Sequence, residues 1–128
     1  MINIKDLMIG DYVCYCDDDE HSFPIRIEGF NEFFDICSSG DWFRGDDISP
    51  IPLTGEILKK NGFRELADGD YEISYIDNET SLIWNRGFIY IAKYYTLSKD
   101  YIQIKRCGSV HQFQHELKSL GINSDIKL

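Results

Sequence analysis

The sequence predicts an α+β chain, and three observations carry that prediction. Residues 10–52 hold short β-branched and aromatic runs broken by turn residues roughly every ten positions. Residues 71–105 hold four longer runs joined by tight turns, the mark of an antiparallel meander. Two segments, 54–63 and 109–122, carry matched helix start and stop signals. At 128 residues the chain is one compact domain or two small lobes that share an interface.

Residues 1–10 read as a lead-in anchored by Ile2, Ile4, Leu7 and Ile9. After the Gly10-Asp11 turn signal, residues 12–16 form a strand of Tyr, Val and Cys. Asp17, Asp18, Asp19 and Glu20 then make a polar tip. They lack the alternating spacing of a calcium loop and are better read as solvated. Residues 24–28 alternate apolar and charged side chains, a half-buried strand. Further strands are expected at 33–37, 42–44 and 48–51, separated by clusters of Ser, Gly and Asp. Strands of this number and spacing suggest a small SH3-like β-barrel over residues 1–50.

Pro50 and Pro52 stop the extended chain, because neither has an N–H to give a sheet ladder. Thr54 is placed to cap a helix of about two turns. Glu56 suits its positive end, and Lys59 and Lys60 its negative end. Gly62 followed by Phe63 predicts a left-handed stop with an apolar residue folded back. Strands follow at 71–76, 81–84, 88–95 and 101–105, with a hairpin turn at Asn85, Arg86 and Gly87. The last element is a helix over 110–120. Ser109 and Gln112 have capping-box spacing, Val110, Phe113, Leu117 and Leu120 form one apolar stripe, and Gly121 is the stop. Residues 51–128 are thus read as a second lobe: a short helix, a four-stranded antiparallel meander and a C-terminal helix packed on it.

Composition narrows the function classes. Twenty-two acidic residues against 13 basic give a net charge of -9, which repels phosphate backbones, and no basic face offsets it, so nucleic acid is not an expected ligand. The start of the chain lacks a basic region followed by an apolar run, and no stretch reaches the roughly 20 apolar residues of a membrane span. A cytoplasmic setting without membrane attachment is the expectation. There Cys14, Cys16, Cys37 and Cys107 stay reduced. Cys14 and Cys16 share one strand face and read as small apolar fillers rather than a redox pair.

The sharpest chemical motif is His111 and His115, four apart on one helix face, where both could reach a metal. In zinc hydrolases of that spacing a glutamate follows the first histidine. Here Gln112 stands in its place, and no third ligand is evident. A metal-dependent enzyme built on His111 and His115 is therefore the alternative reading, not the leading one. Cys37 and Cys107 have no base fixed beside them, paired acids such as Asp46 and Asp47 sit in turns, and no glycine-rich phosphate loop occurs. No cofactor is expected. Aromatic residues remain in surplus: eight Tyr and eight Phe accompany two Trp. Adjacent pairs must send one member to each face of a strand. Trp42, Phe43, Trp84, Tyr94 and Tyr95 are accordingly the candidate contacts for a protein partner or a second copy.

Three phrases add a resemblance: residues 4–13 (IKDLMIGDYV), residues 48–63 (ISPIPLTGEILKKNGF), and residues 110–115 (VHQFQH) through the closing IKL of 126–128. Together they resemble a family of small uncharacterised Bacteroidetes proteins, often encoded in prophages or other mobile elements. The resemblance implies a bacterial intracellular origin and brings no activity, cofactor or catalytic residue. The leading expectation is a non-enzymatic protein-interaction module. Beside the metal enzyme stands one further alternative, an acidic nucleic-acid mimic that blocks a DNA-binding protein.

Overall fold

The computed structural model describes residues 2–17, 21–66, 70–77, 80–94, 99–122 and 124–128. The acids at 18–20, the turn at 78–79 and Tyr95 lie outside the described residues. The architecture is α+β with antiparallel sheets and a C-terminal helix, as expected. Its residue contacts divide it into two units. Unit 1 comprises Met1–Pro52 and Ser109–His115, and unit 2 comprises Leu53–Gly108 and Glu116–Leu128.

In unit 1, β1 (Tyr12–Cys16) pairs antiparallel with β2 (Ser22–Arg26). On its other side β1 pairs with β6 (Ile48–Ser49). Pro24 is tolerated because β2 is an edge strand in the order β2-β1-β6. A second sheet runs β3-β4-β5, from Gly29–Phe30, Ile36–Ser38 and Asp41–Phe43. The expected barrel is not closed among the described residues. β2 ends at Arg26 before β3 begins at Gly29, and β1 and β6 share only two residue pairs. Both sheets nevertheless supply one core. Val13, Ile25 and Ile48 from the first sheet cluster with Ile36 from the second, joined by Leu7 and Ile27.

The strand expected at 33–37 begins only at Ile36. Asn31 diverts the chain, its side-chain Oδ1 accepting from the N–H of Phe33 and of Asp35, both at 2.9 Å. That turn holds Phe34 at φ +61°.

Unit 2 starts with α1 (Gly55–Lys60), a helix that behaves as its sequence dictates. Thr54 Oγ1 accepts from Ile57 N–H. At the other end the Phe63 N–H donates to Leu58 O and the Gly62 N–H to Lys59 O, with Gly62 at φ +92°. This is the Schellman stop. Leu53, Leu58 and Phe63 are all buried, so the Pro-rich phrase earns its distinctiveness through architecture. Asn61 adds a tie that its sequence does not announce: its side chain exchanges hydrogen bonds with both backbone groups of Lys127, holding the C-terminal tail.

The sheet of unit 2 has five strands rather than four, in consecutive order. β7 (Arg64–Glu65) adds an edge to β8 (Tyr71–Asp77), followed by β9 (Thr80–Asn85), β10 (Phe88–Tyr94) and β11 (Lys99–Arg106). Two residues are too few to show strand periodicity, so β7 escapes a reading by pattern. The β9–β10 hairpin turns on Arg86 and Gly87, both at positive φ. Ser39 and Gly40 do the same between β4 and β5. These are the two-residue turns whose twist matches antiparallel strands.

Helix α2 (Val110–Ser119) carries the expected stripe, with Val110, Phe113 and Leu117 buried. Beyond that stripe, His111, Gln114 and Glu116 are buried as well, each under a tenth exposed. Its first half belongs to unit 1, where Val110 N–H donates to Ile51 O and Ser109 bridges Pro52. Its stop repeats that of α1, with Gly121 at φ +73° and Ile122 N–H donating to Leu117 O.

Candidate functional site

Two constellations in unit 1 compete for a function. The first is the histidine pair. The helical spacing brings the two rings to 5.9 Å between centroids, edge to face. Their nitrogens face different partners. His115 Nε2 lies 2.7 Å from Asp11 Oδ2, and His111 Nδ1 lies 3.2 Å from Ser109 Oγ. Asp11 Oδ2 also accepts from Met8 N–H at 2.8 Å. Between them, Gln114 clamps the backbone of the lead-in, accepting from Tyr12 N–H and donating to Gly10 O. Burial pushes the His111 imidazole below its ordinary pKa. The neighbouring His115 works in the same direction, and the Asp11 and Asp6 carboxylates oppose it.

This arrangement fastens the start of the helix to residues 8–12. Among the described residues no group of three or more His, Cys, Asp or Glu is placed to hold a metal ion. Asp11 and Gln114 are the residues that sequence reasoning missed. They lie more than 100 positions apart in the chain, and a single buried polar residue gives no periodic signal.

The second constellation is aromatic and exposed. Phe33 is 75% and Phe34 52% exposed, on the turn between β3 and β4, and Trp42 is 55% exposed on β5. The Asn31 turn aims the two phenylalanines outward. Asn31 Nδ2 donates to Asp35 Oδ2, Asn31 N–H to Asp35 O, and Phe34 N–H to Asn31 O, closing the loop around them. A left-handed backbone costs a non-glycine residue about 1–2 kcal/mol, and here that cost falls on a residue whose side chain gains little burial. Phe23, also exposed, joins Tyr15 and Phe43 in a ring cluster with centroids 4.8–6.2 Å apart.

The five aromatic candidates thus separate. Trp42 is on the open surface, and Phe43 points the other way, half-buried against Tyr15. Trp84 is half-buried in unit 2, where its indole N–H donates to Cys107 O at 2.7 Å and its ring meets Tyr71. Tyr94 closes β10, and Tyr95 lies outside the described residues. Phe33 and Phe34, which the sequence places in a strand, are not among the contacts named from it.

Electrostatics set unit 1 apart. Its segments hold twelve acidic and three basic residues, whereas those of unit 2 hold ten of each. The whole net charge of -9 therefore falls on unit 1. Glu32, Asp41 and Asp46 are exposed on the same sheet and loops as Phe33, Phe34 and Trp42.

No family model matches this chain, and no solved structure matches it. Among curated proteins it is similar to cilia- and flagella-associated protein 61 of Tetrahymena thermophila, with 30% identity over 112 residues. The match covers 88% of this chain and 6% of that protein's length. No helix among the described residues is long and apolar enough to cross a membrane.

Proposed function

We propose that this chain is a non-enzymatic protein-interaction module of bacterial mobile-element type, and that it binds through Phe33, Phe34 and Trp42. The observation that carries the reading is the strained, side-chain-locked Asn31 turn, which holds Phe33 and Phe34 in solvent within the acidic unit. Large exposed aromatics are the side chains that dominate binding energy at interfaces. The surrounding carboxylates select a partner with basic residues around an apolar anchor. They also make a second copy a poor partner, since two units of charge -9 repel. The mobile-element setting rests on the three sequence phrases described above. The Tetrahymena match suits a module for a different reason: a stretch covering most of this chain corresponds to a small segment of a much longer protein.

We further propose that unit 1 is an open SH3-like barrel. What supports this is its strand order. β2 passes to β3 across Ile27 and Glu28, a 3-10 turn (Gly45–Asp47) precedes β6, and β6 returns to pair with β1.

Affinity capture with the full chain tests the binding surface. A basic partner is retained by the native protein, released by rising salt, and lost when Phe33→Ser, Phe34→Gly and Trp42→Ser are combined. Equal capture by the triple variant, or a concentration-dependent dimer that the triple variant abolishes, overturns the reading. A second reading, the acidic nucleic-acid mimic, draws on the same charge segregation. It requires DNA to compete with this chain for the captured partner.

A further inference from the structure

The sheet of unit 2 has two faces that differ in character. Tyr71, Leu82, Trp84 and Ile89 alternate onto one of them, and the Tyr71 hydroxyl lies close to Gly55 of α1. Ile83 and Asn85 take the other face, where the register sets Tyr90 of β10 and Glu72 of β8 directly opposite Ile83. A cavity of about 290 Å³ opens there, lined by Asp70, Ile83, Asn85 and Tyr90. Ile83 is buried and gives it an apolar floor, and the other three are half-buried. Asp70 stands just before β8, and Asn85 Nδ2 donates to its Oδ1.

The two acids near this cavity differ in their partners. Glu72 is buried and neutralised: Arg64 Nη2 donates to its Oε1 at 2.8 Å, and Ser81 Oγ lies 3.4 Å from its Oε2. Asp70 has no basic partner among the described residues. The bond from Asn85 uses one carboxylate oxygen and one amide donor. Asp70 Oδ2 and Asn85 Oδ1 remain as acceptors in a cavity walled by the Tyr90 ring.

We propose that this cavity binds a guanidinium group. Asp70 supplies the opposite charge, and a carboxylate and an amide oxygen side by side suit a planar fork of N–H donors. The Tyr90 ring offers a face to the same flat cation, and Ile83 an apolar contact to its alkyl stem. An ammonium ion is more strongly hydrated and has no plane to stack, so it uses the site less well. A neutral apolar ligand would leave the carboxylate desolvated and unpaired. Ligand pockets run from about 300 to 1,000 Å³, so this volume suits a ligand of side-chain size. Unit 2 holds ten acidic and ten basic residues. No general negative field therefore draws cations to it, and selection rests on Asp70.

The guanidinium could belong to a free guanidino compound or to an arginine of another protein, and two probes separate these sources. The full chain, labelled with nitrogen-15, is titrated by NMR with agmatine and with N-acetylarginine amide. N-acetylcitrulline amide, uncharged and of nearly the same shape, is the control. Both guanidinium probes give saturable shifts at the Asn85 side-chain amide and the Tyr90 backbone amide, and the citrulline analogue gives none. Tighter binding of agmatine assigns the site to a free compound, and tighter binding of the arginine amide assigns it to a protein side chain. Asp70→Asn and Tyr90→Leu each weaken binding about tenfold. Glu56→Gln, which removes the same charge from an exposed position on α1, leaves it unchanged. Asp70→Asn still offers an oxygen to Asn85 Nδ2, so the fold is kept, and the amide spectrum of each variant verifies this. Equal binding of the citrulline analogue, unchanged binding by Asp70→Asn, or no saturable shift with either guanidinium probe overturns the assignment.

Discussion

Unit 1 and unit 2 are built from similar antiparallel strands, yet they differ in net charge and, among the described residues, in the large apolar side chains they expose. Unit 2 balances its charges and turns its tryptophan inward, where Trp84 bonds Cys107 O. Unit 1 carries all the net charge and exposes Met8, Ile9, Phe23, Phe33, Phe34 and Trp42. Of the exposed large apolar residues among those described, only Leu128 belongs to unit 2. Both units bury an apolar core, so folding alone does not demand the difference. Self-repulsion and uncovered aromatics in one unit are what the proposed binding surface draws on.

Four measurements would break or sharpen that contrast. The largest effect falls on the polar fastening of unit 1. Asp11→Ala removes the acceptor shared by Met8 N–H and His115, both left without that partner in a part-buried site. Its expected cost is about 2–4 kcal/mol in chemical denaturation. A cost below 1 kcal/mol would mean that the helix start is held chiefly by apolar contacts. In unit 2 the sensitive position is Gly55, where a Cβ would overlap the Tyr71 hydroxyl. Gly55→Ala should therefore destabilise by about 1–3 kcal/mol despite alanine's better helix propensity. A stabilised variant would show that Tyr71 moves aside freely.

The third measurement separates strain from function. Phe34→Gly relieves the left-handed backbone at φ +61° and should raise stability by up to about 1 kcal/mol, since glycine's greater unfolded-state freedom offsets part of the relief. The same substitution should weaken partner capture. If stability falls instead, the phenyl ring packs more than its exposure suggests, and the contrast between the units narrows.

The smallest effect concerns pH. Burial holds His111 below its ordinary pKa, so on acidification the unfolded chain takes up that proton before the folded one does. The stability linked to His111 is fully present above the unfolded histidine pKa of about 6.5 and declines as pH falls below it. Melting temperatures compared at pH 7 and pH 5.5 should show the loss. His111→Gln, which can still hydrogen-bond Ser109 Oγ, should reduce it. An identical pH slope in the variant would assign the effect to another group.

The sequence made local structure legible wherever a few neighbouring residues suffice. Thr54, Gly62 and Gly121 specify the helix ends through backbone chemistry that acts within four or five positions. Arg86 with Gly87 specifies its hairpin in the same way. Alternation required Trp42 and Phe43 to face opposite ways, and the structure shows that Trp42 is the exposed one. The site was less legible. Phe33 and Phe34 look like strand residues by propensity, and only the Asn31 hydrogen bonds reveal that they are lifted into a turn. The histidine motif was visible from its spacing, but its environment was not, because Asp11 reaches His115 from the far end of the chain.

By itself, then, the sequence determined the α+β class, the helix boundaries, the tight turns and the excess of negative charge. Each of these depends on composition or on interactions between near neighbours. Tertiary structure alone decided that β7 joins the sheet, that the first half of α2 belongs with the N-terminal strands, and that the whole net charge falls on one unit. It also decided which aromatics remain in solvent and that Asp70 and Asn85 share a cavity with Tyr90. The physical reason is common to all of these. Burial and long-range hydrogen bonding depend on which distant segments close upon one another, and neither periodicity nor propensity encodes that choice.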